Sequence, residues 1–559
     1  MKHLAALLLS VALVVCTAAA YAEPLESVLK TEQQRVEAIA RASASFVAVF
    51  ANEGNGGGSG VVISPDGLAL TNFHVAKPAG SHMKCGMNDG QLYDAVIAGL
   101  DPTGDIALIK LLGRDDFPAA TLADSDQLHV GDWCFAVGNP FLLATDFQPT
   151  VTYGLVSGLH RCQYPAGTLL EYTDAIQTDA SINPGNSGGP LFNAAGELIG
   201  IVGSGSFDKR GRVNVGVGYA ISINQVKNFL GCLKSGRLVD HATLGATVST
   251  DSQGRVRVNN ILDSSDAYRR GLRFGDEIVR FGGRTITSAN GFKSVLGMFP
   301  KGWSVPLTYR RDNKETEIVV RLAGLLTPEQ LNDKATKAFA DEKPHGGKPG
   351  EKPEKEKADK EKAEKQEVPA EIAALIDVRT GFANYHFNKV ERERVWKALS
   401  AASTGLSGDS WSLTGTDAKG SPVEIQVSDK ETTGKFATGN LAFDPGEDVD
   451  RQLGPPGSGG LLASLHLLRQ LLREGPEKYG DVVYYGTRPL RFGGDACDVL
   501  VATRNVAELE LSCDPATGKL LKAELWTDDE SDPCELLFSD GKIEVRHAGK
   551  RFATLELAQ

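Results

Sequence analysis

Short apolar runs closed off by glycine or proline recur through the first 230 residues, at 61–63, 106–111, 134–137 and 198–202 among others. Runs of this length, rich in β-branched residues and bounded by turn signals, predict strands rather than helices. S-G-V-V-I-S and L-A-L-T flank a Pro65-Asp66-Gly67 turn, which reads as a hairpin. An all-β barrel unit is therefore expected over about 23–235. Farther on the pattern changes. An amphipathic helix ending at Gly271 and a strand beginning near Glu277 mark a second unit over 243–324. From about 340 to 369 the chain is Lys, Glu, Asp, Gly and Pro with almost nothing apolar, so it cannot bury enough surface to offset its ordering entropy. That segment reads as a solvated linker that leaves residues 370–559 mechanically independent. There, strand-like runs at 422–427, 481–486, 498–503, 508–513 and 519–526 surround one leucine-rich helical stretch at 460–473. They predict an α+β domain on a mostly antiparallel sheet with one main helix.

The chemistry is concentrated in the octapeptide N-P-G-N-S-G-G-P, residues 183–190. A serine that attacks amides needs a base for its proton and donors for the oxyanion. Gly185, Gly188 and Gly189 open backbone conformations in which amide N–H groups beside Ser187 converge on one oxygen. The oxyanion hole is accordingly assigned to Gly185, Asn186 and Ser187, with the N–H groups of Gly185 and Ser187 as donors. By itself the octapeptide also reads as an ordinary turn. Two partners alter that balance. T-N-F-H-V places His74 directly after the hairpin, and D-I-A-L-I-K places Asp105 at the head of an apolar run. A base held in one tautomer by a carboxylate completes the set, in the chain order His, Asp, Ser.

G-S-G-V-V-I-S at 58–64, T-N-F-H-V at 71–75, D-P-T-G-D-I-A-L-I-K at 101–110, V-G-D-W-C-F-A-V-G-N-P-F at 130–141 and Q-T-D-A-S-I-N-P-G-N-S-G-G-P-L-F at 177–192 together resemble the HtrA/Deg group of trypsin-like serine proteases. The resemblance implies His74 as general base, Asp105 as its orienter and Ser187 as nucleophile. It also implies a chymotrypsin-like pair of six-stranded antiparallel barrels with the triad in the cleft between them. In such a site Ser181, Ile182, Val217, Gly218 and Tyr219 wall the P1 pocket. No acidic residue stands in those stretches, so a small or medium aliphatic P1 is expected, with discrimination of only about 1–3 kcal/mol per methylene. One departure follows Phe141, where Leu142-Leu143-Ala144 replaces the glycine usual in the family.

T-L-G-A at 243–246, S-S-D-A-Y-R-R-G-L-R-F-G-D-E-I at 264–278 and P-L-T-Y-R-R at 306–311 are similar to a PDZ domain of the HtrA type. Leu244, Gly245 and Ala246 would form its carboxylate loop, beside a sheet edge to which a substrate C-terminus adds as a strand. L-G-A reads equally as the opening of a strand.

Composition narrows the picture further. A chain of 559 residues holds roughly three to four domains. Its formal net charge of −12 argues against nucleic acid as a partner. Lys2 and His3, an apolar run over 4–15 and small residues around Ala22 predict a signal peptide over 1–22 and export to the periplasm or cell envelope. Left uncleaved, the run would instead tether the chain to a membrane. Seven cysteines remain beyond that segment, without C-x-x-C spacing, so no metal is expected and Cys134 reads as a buried small hydrophobe. His386, His466 and His547 lack any ligand spacing and read as ordinary polar or core residues. No nucleotide-binding loop and no cofactor motif is present. The expectation is an ATP-independent serine endopeptidase acting on unfolded or damaged proteins. The alternative is a chaperone-like or peptide-binding protein that keeps the fold with little turnover. Family likeness adds a homo-oligomer, trimer-based, with Phe46 and Phe50 as contact candidates.

Overall fold

In the computed structural model the described residues are 26–50, 57–140, 146–163, 172–207, 214–337, 368–406, 408–528, 530–539 and 541–557. The expected signal peptide, nearly all of the charged linker and Leu142-Leu143-Ala144 lie outside them. Strands β1 (Phe46–Phe50), β2 (Gly57–Val62), β3 (Leu68–Thr71), β4 (His82–Met87), β5 (Leu92–Asp101) and β6 (Ile106–Leu111) close a barrel in the order β1-β2-β3-β6-β5-β4. A second closed barrel, ordered β10-β11-β12-β9-β8-β7, is built from β7 (Trp133–Gly138), β8 (Thr150–Gln163), β9 (Tyr172–Thr178), β10 (Pro190–Asn193), β11 (Leu198–Phe207) and β12 (Asn214–Ser222). This is the double six-stranded, chymotrypsin-like architecture. Its short strands suit barrels small enough to be filled by side chains, and Cys134, Ala136, Val156, Ile176, Leu191, Ile199 and Val202 fill the second. Cys134 is fully buried there, and burial pushes its thiol up to about 11. All seven cysteines outside the N-terminal segment are unbridged. Phe46 is a core residue, while half-buried Phe50 packs on Phe147 with ring centroids 5.7 Å apart.

The described chain sorts into two compact units. One contains Ile109–Arg161 and Ala175–Asn224 with the residues up to Ala95; the other joins Val96–Leu108, the start of β9 and everything from Gln225 onward. In the second unit a sheet of Ala246–Thr250, Val256–Ile261, Glu277–Phe281, Ser304–Arg311 and Lys314–Arg321, with the short Arg284–Thr285 beside it, carries the helices Asp266–Arg269 and Ala289–Leu296. Serine caps start both helices, Ser265 accepting from the Tyr268 N–H and Ser288 from that of Gly291.

Residues 411–557 form a single eleven-stranded antiparallel sheet. One flank is the meander from Trp411–Asp417 to Gly439–Phe443, the other the seven strands from Asp481–Pro489 to Lys550–Leu557. Trp411–Asp417 pairs with Lys550–Leu557 and joins the flanks. The helix Leu461–Glu474 buries ten of its side chains, including Leu461, Leu465, Leu468 and Arg469, so protein covers most of its circumference and only its last turn reaches solvent, at Arg473. Arg469 pairs with Asp429 at 2.8 Å, and His466 shares a hydrogen bond with Thr432 at 3.1 Å. Burial, aided by the Arg469 charge, pushes the His466 imidazole below its ordinary range. One expectation needs correcting. A second long helix, Tyr385–Ala402, was not foreseen because its E-R-E-R run interrupts the apolar stripe and only Asn388, Val395 and Leu399 are buried.

Mechanical independence of this region does not hold either. The Asn388 amide donates to the carbonyls of Ser235 (2.8 Å) and Tyr484 (2.7 Å), and Asn384 donates to that of Ile97 at 3.0 Å. Glu510 accepts from Arg321 at 2.7 Å and from Arg488 at 2.5 Å, while Arg321 lies 3.8 Å over the Trp526 ring. Burial works to raise the Glu510 carboxyl, but the two guanidinium groups outweigh it and hold it far below the usual carboxylate range. A depressed folded value stabilises the protein above the unfolded value and ceases to do so as pH falls through the folded one. Glu510→Gln, which leaves Arg488 and Arg321 only the more distant Glu524 carboxylate at 3.7 and 4.0 Å, is expected to lose about 1–3 kcal/mol near neutral pH. Urea unfolding of parent and variant checks this, and the gap should narrow from about pH 5 toward about pH 2.

Candidate active site

Backbone accounting explains what the glycine-rich loop leaves available. The Asn186 N–H donates to the Asn183 carbonyl at 3.0 Å, that of Gly188 to Val202 at 2.8 Å and that of Gly189 to Asn186 at 2.9 Å. Among the described residues, no acceptor meets the N–H groups of Gly185 and Ser187. Two donors left unspent, one on each side of Asn186 in the chain, are what an oxyanion requires. Asn186 is thereby corrected as a contributor: its N–H is consumed inside the loop, and its side chain reaches toward the Ser181 carbonyl at 3.4 Å. The path depends on left-handed backbone at Gly185 (φ 101°) and Gly188 (φ 83°). A Cβ at Gly188 would lie 2.2 Å from the Ser59 carbonyl oxygen.

Ser59, on β2, was missed in the sequence because its neighbours read only as hairpin. It is fully buried, its N–H donates to the Ser187 carbonyl at 2.8 Å, and its hydroxyl donates to the Gly185 carbonyl at 2.7 Å while accepting from the Asn139 N–H at 3.1 Å. The half-buried Ser187 hydroxyl rests against the Gly203 carbonyl at 3.2 Å.

His74 is the second residue of the helix Phe73–Ala79, which starts directly after β3 because Asn72 is extended and its carbonyl takes the Val75 and Ala76 N–H groups. Phe73 and Val75 on either side are buried and leave His74 half-exposed. Val75 fills the space beside Gly58, where a Cβ would come within 2.7 Å of it.

Asp105 belongs to the other compact unit, directly ahead of β6. It is fully buried with left-handed backbone, φ 59°, a conformation aspartate tolerates better than most residues. The turn before it is shaped by Asp101, whose carboxylate accepts the N–H groups of Thr103 (3.0 Å) and Gly104 (2.8 Å) and the ring of buried His241 at 2.8 Å. The Tyr172 hydroxyl donates to Asp105 Oδ2 at 2.8 Å. Burial, and then the Asp105 charge, push the Tyr172 phenol well above its ordinary value, so it remains a donor. No sequence signal pointed to Tyr172, whose partner is 67 residues away.

Of the pocket residues, the structure brings Ile182 and Gly218 together: a Cβ at Gly218 would stand 2.5 Å from Ile182 Cγ1. Val217 and Tyr219 are the half-buried neighbours of buried Gly218 on β12. Ser181 is exposed, its carbonyl held by the Thr152 hydroxyl at 3.0 Å.

In the other loop singled out, Leu244 is a core residue and Gly245 (φ 69°) spends its N–H on the Thr243 hydroxyl at 3.1 Å. Ala246 opens an edge strand, Ala246–Thr250, paired on one side only with Val256–Ile261. The helix Ala289–Leu296 is tied to the same strand through the Thr250 hydroxyl, which accepts the Ala289 N–H at 3.0 Å. An open edge beside a helix suits addition of an extended peptide.

Family models agree with this partition. One described as a trypsin-like peptidase domain matches residues 58–201, and one described as a PDZ domain matches 242–322. The chain is similar to the probable periplasmic serine endoprotease DegP-like of Chlamydia trachomatis serovar D, 36% identical over 292 residues, 49% of this chain and 55% of that protein. It is 38% identical over 290 residues to the periplasmic serine endoprotease DegP of Escherichia coli K12, covering 48% of this chain and 59% of that one. Among solved structures, the HtrA-type protease AlgW with tripeptide is 30% identical, with a TM-score of 0.43 over 53% of this chain and 98% of that one. The chain thus spans somewhat over half the length of these two curated relatives.

Ser59→Ala removes a buried hydroxyl from two backbone partners and should cost about 1–3 kcal/mol of stability. Urea unfolding of the variant against the parent measures it, and an unchanged midpoint would contradict the role given to Ser59.

Proposed function

We propose, from the premise that residues 58–322 are the trypsin-like peptidase and PDZ domains of an HtrA/Deg-type protease, that this chain is an exported, ATP-independent serine endopeptidase for unfolded or damaged proteins. Ser187 attacks the scissile carbonyl, and His74 takes its proton and returns it to the leaving amine. Asp105 orients the imidazole and stabilises its charged form. The developing oxyanion is met by the N–H groups of Gly185 and Ser187. The observation that carries this reading is that pair of unspent donors flanking a single serine hydroxyl. Barrel topology supports it as well: β3 and β6 are neighbours, His74 follows the first by three residues and Asp105 directly precedes the second.

The pocket at Ile182 and Gly218 takes a small or medium aliphatic P1 side chain, and cleavage is permissive for want of a charged group there. The edge strand Ala246–Thr250 receives substrate C-termini. Working as a homo-oligomer in the periplasm, the protein would need no cofactor. The names of the relatives, periplasmic serine endoproteases, support the compartment and the reaction.

Digestion of β-casein tests the assignment. The parent should cut it after aliphatic residues, and Ser187→Ala, His74→Ala and Asp105→Ala should each lower turnover by several orders of magnitude, because the three act as a unit. Suppression of aggregation by parent and Ser187→Ala alike, with no cleavage by either, would replace the protease by a binding protein.

A further inference from the structure

Asp105 is a buried carboxylate, and a carboxylate with one fixed oxygen is a different tool from one that spins. Rotation about its Cβ–Cγ bond decides where the second oxygen is presented. The Tyr172 hydroxyl donates to Oδ2 at 2.8 Å, from a side chain only 7% exposed, so water does not compete for the bond. Tyr172 is itself held in place by its sequence neighbours. The Asp174 carboxylate takes Arg284 through both oxygens, at 2.5 and 3.3 Å, and its N–H donates to the Ser294 hydroxyl at 2.9 Å. The Thr173 hydroxyl donates to Gln225 at 3.3 Å, and Gly297 leaves the space into which Thr173 packs, where a Cβ would lie 2.4 Å from its methyl group. Asp174 adopts a left-handed backbone, φ 51°, which these contacts over-determine. Arg284, Ser294 and Gly297 all belong to the PDZ region.

We propose that Tyr172 is a positioning residue for Asp105, fixing the plane of its carboxylate from a segment clamped by the PDZ residues Arg284 and Ser294. The inference rests on the protease reading, in which Asp105 orients the base. Tyr172→Phe keeps the ring and deletes only the donor. Removal of one hydrogen bond to a charged group should lower kcat by about tenfold or more. KM for a short p-nitroanilide peptide with valine at P1 should stay unchanged, since Tyr172 acts through Asp105 alone.

A readout independent of turnover comes from fluorine NMR of protein labelled with 3-fluorotyrosine. The chain has 12 tyrosines, and Tyr172→Phe identifies the relevant resonance by its loss. Asp105→Asn should displace that resonance and leave the other resonances in place. A Tyr172→Phe variant with parental kcat, or a Tyr172 resonance indifferent to Asp105→Asn, overturns the proposal while leaving the protease reading intact. If the parent itself hydrolyses neither peptide nor casein, the protease reading fails and the positioning role falls with it. Should Tyr172→Phe fold poorly, the Asp105→Asn shift decides the matter in the otherwise unaltered chain.

Discussion

Ser59 decides the shape of the loop around Ser187, because it grips that loop by two carbonyls at once. A segment with glycine at 185, 188 and 189 has more backbone freedom to lose than almost any other composition. Left to itself it would spend the N–H groups of Gly185 and Ser187 on whatever acceptor came near. By binding the Gly185 carbonyl with its hydroxyl and the Ser187 carbonyl with its N–H, Ser59 fixes both peptide planes from the neighbouring strand β2. Full burial keeps water from substituting for either bond. Everything the site can do to an oxyanion follows from that pair of contacts.

A different physical logic governs the second unit. Its PDZ region and the eleven-stranded sheet meet through charges: Arg321 on Glu510 and Arg270 on Asp532. Beside them stand an aromatic pair, Phe299 and Phe492 at 5.9 Å, and the Arg321 guanidinium stacked on Trp526. Desolvated ion pairs add little net adhesion, but a mismatched pair is costly, so they select one orientation over its neighbours. None of these contacts uses the edge strand Ala246–Thr250, which is paired on one side only.

Much of this was legible beforehand, and the reasons differ by feature. The barrels could be read because short apolar runs with turn residues leave few other solutions, and Ser187, His74 and Asp105 could be proposed because each sits in a motif whose chemistry is local. Ser59 and Tyr172 were not legible. Their roles lie in partners far along the chain, and a serine in a hairpin or a tyrosine opening a strand carries no pattern of its own. The helix Tyr385–Ala402 escaped because a charged run masks a stripe of few buried residues. Mechanical independence of the last domain was inferred from linker composition, which says how two bodies are tethered and nothing about whether their surfaces fit.

One such fit is made where two glycines let main chains approach. Gly231, in the helix Ile223–Lys234, and Gly486, in the strand Asp481–Pro489, meet backbone to backbone: a Cβ on Gly486 would lie 2.6 Å from the Gly231 carbonyl carbon, and one on Gly231 2.4 Å from the Thr487 nitrogen. Side chains can change rotamer to absorb a displacement, whereas main chains in hard contact cannot. The crossing of the eleven-stranded sheet over the helix that follows β12 therefore has no room for a side chain on either glycine.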